Sequence, residues 1–405
     1  MAKNVAFTIC AKNYLAQALT LQESFKKYNN EADFYIYLSD AVAGEKLPEV
    51  VTMDESWIPN WESMAFKYDV IEFSTSIKPF SINHLFNKGY DKVVYLDPDI
   101  CVFNSLDVVY GSLDDKSIML TPHRCELIVN YEGPISECTV SNVGVYNLGF
   151  IGLRNDKVGQ SVTKWWMERL AYYCYNSTVE GMFVDQKWMD FVPGFYPNDV
   201  LISQNLGLNV ALWNIQERVV YKKGDKFYVK SLITEGREDE LVFYHFSGFN
   251  PETPHKIDKR HDEYTITQYP DMKGLLDYYA EREFANEYKR YRAMKYSFNE
   301  FSNGTLILPI DRRMYRANES MLSTYKDLFS ENGALYKLLK ENKLISKFKN
   351  TGGGVYKKQD NSRAKSKIKK LMCFVLSCFG VDRYVKLQQF GKHIGNNDNI
   401  NFLVK

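Results

Sequence analysis

The chain has 405 residues, of which 45% are hydrophobic, 25% charged and 15% aromatic. This is the composition of a folded globular protein and excludes a disordered, collagen-like or coiled-coil chain. The 51 basic and 50 acidic residues leave a formal charge of +1, which excludes a whole-surface nucleic-acid binder.

In chain order, Val5 to Cys10 reads as a first strand, too short an apolar run for a signal-peptide core and followed at once by Lys12 and Asn13. Leu15, Ala18, Leu19 and Phe25 fall on one helical face, and Phe34 to Leu38 forms a second strand ending at Ser39-Asp40. Strand, crossover helix and strand make a βαβ unit. Lys92 to Leu96, Ser117 to Thr121 and Tyr146 to Leu153 are further strand-like runs. A helix follows in which Val162, Trp165, Trp166, Leu170 and Tyr173 recur at helical spacing, and such a stripe reads as core. The fold class expected over the first 250 residues is therefore α/β, a Rossmann-like, largely parallel sheet flanked by helices.

After Pro251 the pattern changes. Tyr264 to Met294 and Leu322 to Leu344 read as amphipathic helix, and Thr351-Gly352-Gly353-Gly354 opens a polar linker. The expected organisation is an α/β domain over 1–255, a helical extension over 256–350, and a linker with a basic amphipathic tail over 351–405. Tyr356 to Lys370 carries seven basic residues and one acid, a local +6 that leaves −5 on the rest of the chain. Beyond it Ile368, Leu371, Met372, Val375, Cys378 and Phe379 fit a helical stripe. Two readings of the tail stand: a basic collar and apolar face lying on an anionic membrane surface, or a helix docked on the rest of the protein. The apolar run Leu371 to Val381 is too short to cross a bilayer, which needs about 20 residues. Seven scattered cysteines without a paired CxxC spacing suggest reduced thiols, and the expected location is the cytoplasm, with peripheral attachment to the inner face of the cell membrane left open.

Val93-Val94-Tyr95-Leu96-Asp97-Pro98-Asp99-Ile100 is the most informative segment. In an extended chain, residues i and i+2 share a face, so Asp97 and Asp99 would present two carboxylates together at the end of a buried strand. Ligands bind outside the carboxyl ends of strands in such sheets, and hard carboxylate oxygens select Mg²⁺ or Mn²⁺. Taken alone, Asp-Pro-Asp is also ordinary turn chemistry.

The stretch Tyr95-Leu96-Asp97-Pro98-Asp99 resembles the DxD of GT-A glycosyltransferases, in particular the retaining family 8 that includes glycogenin and bacterial galactosyltransferases. Three further segments match in order over residues 1 to 255. Tyr146-Asn147-Leu148-Gly149-Phe150 resembles the family's Asn-x-Gly strand, Asp185-Gln186 its Asp-Gln pair, and Tyr244-His245-Phe246-Ser247-Gly248 its late His-x-x-Gly motif.

The resemblance implies a metal-dependent hexosyltransferase acting on a nucleotide-sugar, UDP-linked by preference, with retention of configuration. His245, at the end of an apolar run, would complete the ion's coordination with Asp97 and Asp99, and an imidazole ligand favours Mn²⁺ over Mg²⁺. Lys78 stands nineteen residues before Asp97, where members carry a basic residue near the donor. Thr8, Asn13 and Tyr14 fall where members contact the base, although Ala11 and Lys12 replace acidic residues common at that turn. Asp185 and Gln186 would stabilise an oxocarbenium-like sugar, with a helix cap as the plainer role for Asp185. Asn147 would bind sugar hydroxyls, and Gly149 would let the backbone approach closely. The Thr121-Pro122-His123-Arg124 turn places His123 and Arg124 near an acceptor, expected to be a glycan or a lipid-linked oligosaccharide in bacterial surface polysaccharide assembly.

Rival readings are a non-catalytic nucleotide- or glycan-binding relative and a haloacid-dehalogenase-type phosphatase. The phosphatase motif normally stands on the first strand and wants Thr or Val where this chain has Cys101. A nucleotidyltransferase would carry a glycine-rich loop near its start, and Thr8 to Tyr14 contains no glycine.

Overall fold

A computed structural model describes residues 2–342 apart from 43, 130, 132 and 134, together with 344, 345 and scattered helical positions between 370 and 391. The linker, the basic run up to Lys369 and Ile368, Leu371, Met372, Val375 and Phe379 of the tail stripe lie outside the described residues; Cys378 is helical and exposed. Among the described residues, no helix is long and apolar enough to cross a membrane.

The chain divides into two units, Met1–Trp61 with Val70–Tyr296, and Glu62–Asp69 with Ser297–Lys405. In the first, β1 (Asn4–Cys10) leads through α1 (Leu15–Tyr28) to β2 (Asp33–Leu38) and the short β3 (Val51–Thr52). Then come β4 (Lys92–Leu96), β5 (Ile100–Val102), β6 (Ile118–Leu120) and β7 (Phe150–Arg154). The central sheet has seven strands in the order Val200–Ile202, β6, β7, β4, β1, β2, β3. All neighbours run parallel except β7, which is antiparallel to both β4 and β6. This is the expected mostly parallel α/β sheet flanked by helices. β1 is buried along Val5–Cys10 and β4 along its whole length, as their continuous apolar runs require in a sheet covered on both faces. Because β2 lies on one side of β1 and β4 on the other, the strand order reverses there, and such a switch opens a crevice at the carboxyl ends.

Three sequence expectations change. The run from Tyr146 pairs at Tyr146 only by a bridge to Pro122, turns through 147–149, and becomes a strand at Phe150. Of the two adjacent tryptophans, on the Lys157–Leu170 helix, Trp166 is fully buried, whereas Trp165 meets the rings of Trp188 and Phe195 in a partly exposed aromatic group. They differ because adjacent helical residues point about 100° apart, so Trp166 joins Val162 and Leu170 while Trp165 does not. The first unit also runs past residue 255: the Lys273–Ala285 and Tyr288–Arg292 helices belong to it, with Tyr288 and Tyr291 in the core that includes α1 residues Leu15, Leu21 and Phe25.

The second unit has its own core of Phe66, Phe301, Ile307, Met314, Tyr315, Leu322, Leu328, Leu335 and Leu339. Buried Arg312, on the Pro309–Ala317 helix, donates to the carbonyls of Ala65, Phe66 and Tyr68 at 3.1, 2.7 and 2.6 Å, satisfying acceptors at the end of the Trp61–Lys67 helix.

Candidate metal and donor site

β4 ends at Leu96, and the chain turns with Pro98 as its second residue, the Ile100 amide returning to the Asp97 carbonyl at 3.0 Å. Asp97-Pro98-Asp99 is therefore a turn and not an extended stretch, which corrects the expected i, i+2 geometry, although both carboxylates still converge. β5 then pairs antiparallel with the Phe243–His245 strand, setting His245 opposite Ile100. The Phe246 amide donates to the Asp99 carbonyl at 2.8 Å. This register carries His245 across nearly 150 residues of sequence onto the aspartates.

His245 Nε2 lies 3.1 Å from Asp99 Oδ1 and 3.6 Å from Asp97 Oδ2, and ligand atoms of the three residues all lie within 4.8 Å of one another. Nδ1 lies 3.3 Å from Asn209 Oδ1, an acceptor, so Nδ1 carries a proton and donates. In the neutral ring Nε2 then turns its lone pair on two carboxylates, an arrangement that favours a cation among them. Burial pushes the Asp99 carboxyl up, but His245, by charge and hydrogen bond, brings it below the ordinary aspartate range. Burial likewise depresses the His245 imidazole, and Asp99 more than offsets this and raises it. The oxygen–oxygen–nitrogen donor set fits a divalent cation of the Mg²⁺ or Mn²⁺ class. Tyr95 donates from its hydroxyl to Asp97 Oδ1 at 2.6 Å and so orients that carboxylate.

Gly149 makes this packing possible. A Cβ there would collide with His245 Cε1 and stand 2.7 Å from its Nδ1. The glycine is thus required by a side chain from the distant Phe243–His245 strand.

Asn147 is the hub of a buried amide network. Its Oδ1 accepts from the Gly149 amide and from Asn209 Nδ2, each at 3.0 Å. Its Nδ2 reaches His123 Nε2 at 3.3 Å and Gln186 Oε1 at 3.5 Å. Both donors and both acceptor positions are engaged within the protein, so the amide holds the loop instead of projecting to a ligand. Gln186 accepts from the Leu148 amide at 3.0 Å and donates to the Val143 carbonyl at 2.9 Å. His123 is buried and neutral: desolvation pulls it down to about 4, and Nδ1 donates to the Val145 carbonyl at 3.2 Å. Arg124 donates to the Ile135 carbonyl and lies 4.0 Å over the Tyr131 ring. His123 therefore supports Asn147 from behind.

Asp185 stands at the start of the Gln186–Phe191 3₁₀-helix but makes no side-chain cap. Its carboxylate pairs with Lys78, both 2% exposed or less. Burial raises the Asp185 carboxyl above the ordinary range, with Lys78 acting the other way. The Lys78 ammonium also donates to the Leu148 carbonyl at 2.7 Å and sits 4.0 Å over the Tyr95 ring. It is saturated by these partners, where the sequence suggested a cation directed at a diphosphate. Val184, just before Asp185, has φ +41°, a left-handed conformation costly for a β-branched residue and of the kind found at functional sites.

At the end of β1, the buried Thr8 hydroxyl and Asn13 Oδ1 have no hydrogen-bond partner among the described residues, while Lys12 pairs with Glu45 at 2.8 Å. Tyr14 is pushed up to about 12 by burial and by Asp99, whose field reaches it.

Two residues of the site were not singled out from sequence. Asn209, at φ +51°, joins Thr121, Asn147 and His245, and Trp213 packs edge-on between His123 and His245 with centroids at 5.4 and 5.0 Å. The one signal for Asn209 was a polar residue inside the apolar run Leu206 to Leu212, a position that tolerates left-handed backbone best as Asn.

No protein-family model matches the chain. Two relatives come from Bacillus subtilis (strain 168), both described as uncharacterized proteins. YfnF is 26% identical over 279 residues, covering 66% of this chain and 88% of YfnF. YfnD is 24% identical over 253 residues, covering 60% and 76%. Among solved structures the chain is similar to galactosyltransferase LgtC in complex with donor and acceptor sugar analogues, at 15% identity over 71% of this chain and 99% of LgtC, with a TM-score of 0.40. It is also similar to the bifunctional glycosyltransferase WbbM, at 15% identity over 70% of this chain and 51% of WbbM, again with a TM-score of 0.40.

Proposed function

We propose that this chain is a metal-dependent glycosyltransferase of the GT-A, family 8-like type, moving a hexose from a nucleotide-sugar to a glycan or lipid-linked oligosaccharide. The observation that carries this reading is the Asp97–Asp99–His245 triad at the carboxyl end of β4, beside the strand-order switch. Those three residues would hold the ion, Mn²⁺ by preference because of the imidazole. When bound, it supplies Lewis-acid stabilisation of charge on the departing nucleoside diphosphate.

The residues of the chain account for the rest. Tyr95 and Asn209 hold Asp97 and His245 in register, and the Asn147 network fixes the Leu148–Gly149 turn over which the donor sugar would lie. Asp185, held by Lys78, would offset positive charge developing at the anomeric carbon, with Gln186 fixing the adjoining loop and retention the stereochemical course. The open polar atoms of Thr8 and Asn13, with the Tyr14 ring, would receive the base, uracil by preference. The acceptor would approach on the same side of the sheet, with His123 acting through Asn147. A place on the inner membrane face in surface-polysaccharide assembly, with the basic tail on anionic lipid, completes the reading.

Calorimetric titration with UDP, GDP, ADP, CDP and dTDP, each with and without Mn²⁺, tests it. Metal-dependent binding of one of them, lost in an Asp97→Ala/Asp99→Ala variant, is the expected result. No binding of any diphosphate under either condition would sink the proposal.

A further inference from the structure

Beyond the triad and its supporting loops, the first unit carries an exposed aromatic surface. Phe191 and Phe195 are 54% and 55% exposed and Tyr173 is 46% exposed, and such rings gathered in one place mark a binding surface. Trp188 and Phe191 have ring centroids 6.4 Å apart with planes tilted by 33°, and Phe191 and Phe195 lie 6.0 Å apart at 15°. Positions 188, 191 and 195 follow helical spacing through the Gln186–Phe191 and Val192–Phe195 turns, so three nearly parallel rings form a row along one side.

The row is braced from within the protein. Trp165 meets Trp188 at 6.0 Å and Phe195 at 5.8 Å, edge-on in both cases. Trp188 Nε1 donates to the Tyr173 carbonyl at 3.0 Å, which fixes the indole. Lys187 and Asp190 alternate with the rings and pair at 3.0 Å, Lys187 donating to the Ser141 carbonyl at 2.6 Å and Asp190 accepting from the Val145 amide at 3.0 Å. Rings held in this way need little further ordering when a ligand arrives.

Topology gives the row a direction. Asp185 and Gln186 stand at the carboxyl end of the sheet, against Lys78 and the Leu148 amide, and Trp166, next to Trp165, donates to the Asp185 carbonyl at 3.3 Å. The Val200–Ile202 strand runs parallel to β6, and β6 shares the direction of β4 because both are antiparallel to β7. The chain must therefore reach the amino end of the sheet by residue 200. Residues 186–199 descend the flank from the crevice loop, and the rings line that descent.

The chemistry of the row selects its occupant. Lys164, Arg169 and Lys187 are matched in number by Glu168, Glu180 and Asp190, so no basic excess draws this surface to an anionic membrane. Flat aromatic faces suit the C–H face of a pyranose, while the charged side chains that flank them, such as Arg169 at 5.9 Å from the Trp165 ring centre, suit its hydroxyls. The spacing of 6.0 to 6.4 Å is close to the step between successive sugar rings in an extended chain. We infer that Trp188, Phe191 and Phe195, braced by Trp165, form a platform for an uncharged oligosaccharide, the part of an acceptor glycan that lies beyond the sugar being extended. This rests on the glycosyltransferase reading above.

The test titrates the full chain with maltohexaose, cellohexaose, laminarihexaose and chitohexaose, followed by tryptophan fluorescence and calorimetry, on the wild type, Phe191→Ala/Phe195→Ala and Phe191→Tyr/Phe195→Tyr. Diphosphate binding in Mn²⁺ is measured alongside. At least one hexasaccharide is expected to bind the wild type and to bind the alanine variant at least ten-fold more weakly, with the tyrosine variant retaining affinity because it keeps the rings. Diphosphate affinity should be the same in all three. Absence of binding of all four hexasaccharides to the wild type at millimolar concentration would overturn the platform, and so would equal affinity in the wild type and the alanine variant; neither touches the glycosyltransferase reading. A wild-type dimer that the alanine variant loses would assign the row to a second copy of the chain, and loss of flotation with neutral phosphatidylcholine vesicles would assign it to a membrane; either, without hexasaccharide binding, overturns the proposal. A wild type that binds a hexasaccharide through these rings but no diphosphate would uphold the platform and overturn the enzymatic reading.

Discussion

Glu283 is a buried carboxyl whose Oε2 finds no hydrogen-bond partner among the described residues. Burial and Asp99 raise it to about 8, with Gln17, Tyr279 and Arg292 acting in the opposite sense and the Tyr14 hydroxyl facing it from the end of β1. The ordinary value is 4.5, so the native state keeps a proton that the unfolded chain releases. The associated stability is complete below pH 4.5 and is lost as pH rises toward 8, on the order of 5 kcal/mol in total. A Glu283→Gln variant should remove this dependence. Its melting temperature relative to wild type should climb between pH 5 and 8.5, and parallel curves for the two proteins would show that Glu283 ionises normally.

At the scale of elements, the site is made where three segments meet: the turn after β4, the turn before β7, and the Phe243–His245 strand beside β5. Each imposes a condition on the others. Pro98 fixes the turn that aims the aspartates, the β5 ladder fixes the height of His245, and Gly149 leaves room for the imidazole. Gly149→Ala is expected to displace His245 while keeping β4, β7 and the sheet, because its backbone angles suit an L-residue and only the side chain obstructs. Far-ultraviolet circular dichroism should be unchanged, whereas Mn²⁺ affinity should fall by at least ten-fold. Undiminished Mn²⁺ affinity would mean that His245 is not a ligand. The Asn147 amide belongs to the same scale: its four hydrogen bonds tie residues 123, 149, 186 and 209 together, so its contribution is to geometry.

For the whole molecule, a site assembled from residues 97 to 245 would couple metal binding to folding of the first unit. An ion that binds only the native state stabilises it by about 2.7 kcal/mol at a hundred times its dissociation constant. Mn²⁺ should therefore raise the melting temperature of the unit holding the triad, with the shift abolished in Asp97→Asn/Asp99→Asn and reversed by a chelator. An unchanged melting curve up to millimolar Mn²⁺ would argue against a resident ion. The second unit carries its own core around Phe66, Met314 and Tyr315, so a biphasic curve in which only one transition moves is the expected form.

The sheet was legible in the sequence because β1 and β4 are buried on both faces and so are mostly apolar, a local property that any short window displays. The candidate metal ligands were legible in part for a related reason, since a carboxylate pair at the end of such a run stands where a parallel sheet binds its ligands, while His245 was added to them by the resemblance of its motif. What the sequence could not supply was partnership. Lys78 and Asp185 each looked free for a ligand, and only the fold, by burying both, turned them into a pair. Trp165 and Trp166 looked alike until one faced the core and the other the surface. Asn209 and Trp213 carried no local signal of their contacts, which lie with residues dozens of positions away. Burial and backbone pattern are written residue by residue and can be read from the chain alone; which charge meets which is fixed by long-range register, and that exists only once the strands have paired.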